Sequence, residues 1–242
     1  MPAAVRLEVE RKISLPPKDL SAFLARLGAA VSHVVLQDAY WDDDKMTLVR
    51  QDQWLRLRNG RWEMKVPGLG SKGSSVEGST TYNEIEGEAN VRQFLFPNQL
   101  DSDLQELLDA SGFKAFAELT SHRTTYHAQQ DGRSINIDVD LATFPKDPVP
   151  YSVIELEVLS EPSESENDGG EKAKASDEVI DAFMEQMGIA GKTTRPRSKL
   201  VEYLVRHDRD RIMRLAESSP KYRKLVRQLL MSPSDAVDEH AL

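Results

Sequence analysis

The 242-residue chain contains no cysteine. That excludes disulfide scaffolds, thiolate metal sites and cysteine nucleophiles, and leaves any chemistry to oxygen and nitrogen. No run of about 18 apolar residues occurs, and Met1 to Lys12 has no apolar leader core. The expectation is a cytosolic chain with neither signal peptide nor membrane span. A net positive charge is also missing: the formal value is −9, which excludes a surface that attracts nucleic acid or anionic lipid overall, although not a local basic pocket. Gly (13) and Pro (12) are too sparse for a collagenous or wholly disordered chain. What is present, 39% hydrophobic and 29% charged residues, is the balance of a globular protein long enough to bury a substantial core.

Much of the negative excess lies in Glu161–Glu178, whose net charge is −5. From it, residues 160–176 read as a mobile acidic connector, too poor in apolar residues to fold alone. The other signals are strands and helices in alternation. Residues 5–13 alternate Val5, Leu7, Val9 and Ile13 on one face. Pro16 and Pro17 then open a helix with Leu20, Phe23, Leu24 and Leu27 at helical spacing, ended by Gly28. Strands are predicted at 33–42, 53–58, 61–66, 81–87, 117–129, 133–142 and 151–160, with turns at Asn59-Gly60 and Asp131-Gly132. Helices are predicted at 88–95, 100–110, 177–187, 197–207 and 208–230. The 67–79 segment reads as a loop, and 232–242 as a frayed tail. Tight turns between most strands imply an α+β fold with a mainly antiparallel sheet, curved or closed, and helices outside it.

One oddity recurs from strand to strand. Opposite the apolar residues of 5–13 stand Glu8, Glu10 and Lys12; opposite Leu55 and Leu57 stand Trp54, Arg56 and Arg58; Glu63 shares a face with Lys65. Asp138 and Asp140 oppose Ile137 and Val139, Glu155 and Glu157 oppose Leu156 and Val158, and Arg123 lies in another long strand. Any one of these reads as the solvated face of an ordinary sheet. If the sheet closes, the same face points inward, and the carboxylates and cations then need ligands to justify burial. Carboxylates suit hard divalent ions, and Arg with Lys suits phosphate oxygens, so both together point to a metal–polyphosphate site. The five His show no metal-like spacing, and the Ser/Gly loop lacks the ending of a P-loop.

LEVERKI at 7–13, with Glu8-x-Glu10-x-Lys12, resembles the ExExK signature of the CYTH family of triphosphate tunnel metalloenzymes. DAYWD (38–42), WLRLR (54–58), WEMKVPG (62–68), YNEIEG (82–87), HRTTY (122–126), IDVD (137–140), IELEV (154–158) and SKLVEYL (198–204) follow in that family's order. Within the family, the Trp54, Arg56 and Arg58 set is most similar to the branch that hydrolyses thiamine triphosphate.

The resemblance implies an eight-stranded antiparallel β-barrel forming a tunnel, with surrounding helices: a domain over 1–207 followed by a helical extension and tail, 208–242. It implies Mg²⁺, or Mn²⁺ as substitute, on Glu8, Glu10, Asp138, Glu155 and Glu157, with Asp140 a weaker candidate. Phosphate contacts fall to Lys12, Arg56, Arg58, Lys65, Arg123 and Lys199, the last reaching in from a helix. Either a second metal or Lys12 activates the attacking water, and Trp54 either stacks on the organic end of the substrate or serves as an aromatic wedge. Tyr40 has two readings, a hydrogen bond to the site or plain packing.

The implied activity is Mg²⁺-dependent hydrolysis of thiamine triphosphate to the diphosphate and phosphate, with Glu8, Glu10 and Lys12 catalytic. The alternatives are an inorganic triphosphatase, cyclisation of ATP, or a non-catalytic polyphosphate-binding module. The only expected partner is the small-molecule triphosphate, on a monomer without nucleic acid or membrane.

Overall fold

A computed structural model describes residues 6–67, 79–145, 147–160 and 166–231. The strands are β1 (Arg6–Ile13), β2 (Ser32–Asp42), β3 (Trp54–Arg58), β4 (Arg61–Pro67), β5 (Ser79–Glu86), β6 (Lys114–Gln130), β7 (Arg133–Phe144) and β8 (Asp147–Ser160). They close into an antiparallel barrel in the order β1-β5-β4-β3-β2-β6-β7-β8, with β8 returning to β1. Around it lie α1 (Pro17–Leu27), α2 (Thr47–Arg50), α3 (Glu88–Leu95), α4 (Leu104–Ala110), α5 (Glu166–Gln186), α6 (Lys199–His207), α7 (Arg209–Ser218) and α8 (Pro220–Met231). The predicted hairpins are present. Asn59 and Gly60 have φ of 47° and 78°, and Asp131 and Gly132 of 51° and 75°, the left-handed backbone of a type I′ turn.

Closure turns the barrel inside out relative to an ordinary domain, because the apolar face of each strand points away from the axis. Val9, Ile137, Leu156 and Val158 pack outward on Phe23 of α1 and on Val179, Ile180 and Phe183 of α5. Leu55, Met64 and Ile85 do the same against Val91 of α3 and Leu104 and Leu108 of α4. A third cluster stops one end of the barrel: Tyr40, Ala117 and Leu119 meet Leu200 and Leu204 of α6, Ile212 and Leu215 of α7, and Tyr222 of α8. Residues 208–231, the expected helical extension, pack on the barrel through this cluster.

Other boundaries differ from the sequence reading. Glu166–Ser176, expected as a mobile connector, is the first half of the 21-residue α5. A few tie points hold it where overall composition gave no sign of them. Ala173 packs on the core, and buried Ser176 is within hydrogen-bond reach of Arg133 and Ser160. The single helix expected over 208–230 divides at Ser219–Pro220, since Pro supplies no N–H to continue it. The helix expected from 100 starts at Leu104, capped by Asp103, and β6 and β8 begin three and four residues early. The short α2 was not anticipated. Most of the 67–79 loop and the 232–242 tail lie outside the described residues. No helix among the described residues is long and apolar enough to cross a membrane.

Arg11 pins β1 to α5. It points outward, donates to Asp177 and Asp181, and donates from Nε to the Ser79 hydroxyl at 3.0 Å. Asp177 is 2% exposed whereas Asp181 is 61% exposed. Arg11→Ala, which strands the buried carboxylate, is predicted to cost about 3–5 kcal/mol of unfolding free energy in urea titrations. Asp181→Ala should cost less than about 1 kcal/mol.

Candidate active site

Because directly opposed residues of an antiparallel pair share a face, the ladders place the charged residues together inside the barrel. Glu10 opposes Glu157 and Lys12 opposes Glu155 across β1 and β8; Asp138 opposes Glu155 across β7 and β8. Arg123 opposes Asp140, Arg58 opposes Asp38, Arg56 opposes Glu63, and Trp54 opposes Lys65, itself opposite Glu84. Every candidate residue on a strand thus faces the tunnel. Lys199, the first residue of α6, enters from the stopped end, where Ser198 caps the helix by accepting the Val201 N–H at 3.3 Å.

Inside, the charges neutralise one another. Lys65 Nζ is 2.5 Å from Glu8, 3.2 Å from Glu84 and 3.7 Å from Glu10. Lys12 pairs with Glu10 and lies 3.5 Å from Glu155. Arg123 holds Asp138 at 2.5 Å, and Asp140 and Glu155 at 2.7 Å each. Lys199 pairs with Asp140 and reaches Glu155 at 3.2 Å. Arg58 makes a two-pronged contact with Asp38 at 2.6 and 2.8 Å, and Arg56 meets Glu63 at 2.6 Å. Hydroxyls complete the set: Thr125 donates to Asp138 at 2.6 Å and Thr80 to Glu10 at 3.0 Å.

Ionisation follows from position. Burial opposes charge on Glu10, yet Lys12 and Lys65 outweigh it and hold the carboxyl well below the usual range. Burial likewise opposes charge on Glu155, where Lys199, Lys12 and Arg123 prevail. For Glu8 burial wins over Lys65 and raises the pKa. Glu157 is pushed up to about 7 by burial, against the pull of Lys65 and with Glu84, Asp138 and Glu10 adding to the rise. Burial would ease the proton off Lys12, but Glu10 and Glu155 bind it more tightly than usual. In this arrangement Lys12 carries its proton, paired with Glu10.

The sequence reading passed over Asp38 and Glu84, and ranked Asp140 low although it is fully buried between Arg123 and Lys199. The strand alternation carried the signal, since Asp38 shares a face with Tyr40 and Glu84 with Tyr82. Trp54 lies at the stopped end, packs on the cluster there, and hydrogen-bonds to Tyr82. Tyr40 is a buried member of that same cluster. Among the described residues, no three carboxylate or imidazole groups stand together as a ready metal cage.

Residues 6–198, four-fifths of the chain, match the CYTH domain. The chain belongs to the CYTH family. Thiamine-triphosphatases of Macaca fascicularis and of Homo sapiens are each 29% identical to this CYTH protein over 224 residues, which cover 87% of it and 90% of each relative. A Pyrococcus horikoshii protein shares the fold with a TM-score of 0.52 at 18% identity, covering 82% of this chain and 97% of its own. A Hippeastrum protein described as having a dominant triphosphatase activity matches at TM-score 0.50 and 17% identity, over 81% of this chain and 94% of its own.

Asp140 is, with Glu155, a counter-charge shared by two cations of this CYTH tunnel. Asp140→Asn is predicted to cost about 3 kcal/mol in urea unfolding, because Arg123 and Lys199 lose a fully buried counter-charge and share only Glu155. Glu84→Gln, at a side chain 22% exposed, should cost less than half as much.

Proposed function

We propose that the protein hydrolyses the terminal phosphoanhydride bond of an organic triphosphate, thiamine triphosphate before others, with Mg²⁺ as cofactor. The observation that carries this reading is the convergence of Lys12, Arg56, Arg58, Lys65, Arg123 and Lys199 inside one closed barrel, interleaved with the carboxylates Glu8, Glu10, Asp138, Glu155 and Glu157. The names of the mammalian relatives support the choice of substrate.

The residues fit the cation. Glu10 and Glu157 are like charges directly opposed, with Glu8 two residues along, an arrangement that costs energy unless a positive charge lies between them. Hard oxygen donors of this kind suit Mg²⁺, and Asp138 and Glu155 extend the set. Bound there, Mg²⁺ would neutralise phosphate oxygens and share their charge.

The chain's own residues do the rest. Arg56, Arg58 and Arg123 present paired N–H groups that match phosphate oxygens, while Lys12, Lys65 and Lys199 act as point charges. The walls fix the chain of phosphates in line, so that rate enhancement comes from positioning and from charge already in place. Water adds to the terminal phosphorus, the bond to the bridging oxygen breaks, and the diphosphate and orthophosphate leave, with the water's proton passing to the phosphate oxygens or to solvent. Since each cation is already paired, a phosphate must displace a carboxylate from it, and Glu8, Glu10, Asp138, Glu155 and Glu157 would be free to let go if they held a metal ion, which would supply the compensating charge. Metal and triphosphate therefore favour each other's binding.

An inorganic triphosphatase is the second reading, favoured by one observation: the indole of Trp54 is engaged with Tyr82 and with the stopped end. Phosphate release from thiamine triphosphate, tripolyphosphate and ATP, with Mg²⁺ and with EDTA, tests both. The expected result is Mg²⁺-dependent release that prefers thiamine triphosphate, is lost in Glu8→Gln/Glu10→Gln, and falls about tenfold for that substrate alone in Trp54→Ala. Equal loss on tripolyphosphate in Trp54→Ala leaves the tunnel and removes the thiamine; no release at all, with Mg²⁺-dependent binding intact, leaves a binding module.

A further inference from the structure

We propose that the fork between β7 and β8 is a second anion site, built for a phosphate group and opening beside the carboxylate end of the tunnel. The ladder between these strands runs down to Asn136–Glu157. Beyond it β7 stays paired with β6 through Arg133–Gln130, and β8 with β1 through Ser160–Leu7. The strands part, and a cavity of about 410 Å³ lies in the fork, lined by Arg133, Ser134, Asn136, Leu159, Ser160 and Lys172 of α5. Asn136 shares a cross-strand rung with Glu157, so the cavity adjoins the tunnel at that carboxylate.

Its chemistry differs from that of the tunnel. Each tunnel cation is held by carboxylates, whereas Arg133 is held by a neutral group: Nη1 donates to Ser176 Oγ at 3.1 Å, and no ion pair to Arg133 forms among the described residues. Ser176 is fully buried and lies 3.3 Å from Ser160 Oγ, so α5 fixes both lining groups at once. A hydroxyl that orients a guanidinium leaves its charge uncancelled. An oriented guanidinium beside two hydroxyls and an amide suits a tetrahedral oxyanion, and the described lining has no aromatic ring to receive an organic one.

That the oxyanion is a phosphate rests on the reading of the tunnel given above. The phosphate has two sources, orthophosphate leaving after hydrolysis or the terminal group of a chain longer than three phosphates.

Inorganic phosphate titrated into the full chain by calorimetry tests the site. Arg133→Gln should weaken one class of phosphate binding about tenfold, and Arg133→Lys should restore part of it, while Lys199→Gln in the tunnel spares that class. Phosphate binding by Arg133→Gln that matches the unsubstituted chain would overturn the proposal. Turnover then separates the sources. Weaker inhibition by orthophosphate in Arg133→Gln, at unchanged kcat on tripolyphosphate, points to the leaving product. A selective fall in kcat/KM on tetrapolyphosphate points to the longer chain. If no triphosphate is hydrolysed at all, the proposed function fails while the phosphate titration still decides the fork.

Discussion

Lys65, set among Glu8, Glu10 and Glu84, displays the constraint under which the whole barrel is built. A charge withdrawn from water costs several kcal/mol even after relaxation, and attraction to a partner repays that only with good geometry. Closing eight strands around charged faces is therefore possible only if each inward cation finds a carboxylate within reach. The ladders arrange this: Lys12 against Glu155, Arg56 against Glu63, Arg58 against Asp38 and Arg123 against Asp140 are all direct rungs. The apolar faces are forced outward as a result, and the helices are needed to cover them. Even the stopped end follows, since α6 must sit there for Lys199 to reach Asp140 and Glu155.

A tunnel that neutralises itself is also poised for exchange. The carboxylates that stabilise the cations are the groups suited to a metal, and the cations are those suited to phosphates. On the proposed function, binding does not create a charged site but reassigns partners within one. The imbalance resides on one side, where Glu8, Glu157 and Asp138 have raised pKa values, each first of all through burial.

The fold was readable because alternation is a local signal and closure turns it into a global one. The hairpin at Asn59-Gly60, the parity of Glu8, Glu10 and Lys12, and the pairs Asp138/Asp140 and Glu155/Glu157 were visible in the bare sequence. What escaped it depended on partners distant in the chain. Asp38 gains meaning only beside Arg58, and Glu84 only beside Lys65. Asp140, a weaker candidate by alternation alone, gains its place from Lys199, 59 residues away. Glu166–Ser176 looked too acidic to fold because composition does not register Ala173 on the core or Ser176 beside Arg133.

Partner exchange inside the tunnel is most directly tested by titrating Mg²⁺ into the full chain alone, and again with a non-hydrolysable imido analogue of tripolyphosphate bound, after correction for chelation in free solution. The account predicts that the analogue tightens Mg²⁺ binding at least about tenfold, and that Mg²⁺ tightens analogue binding by the same factor, as linkage requires. Equal Mg²⁺ affinity with and without the analogue would contradict it, because the carboxylates and cations would then be acting as independent sites.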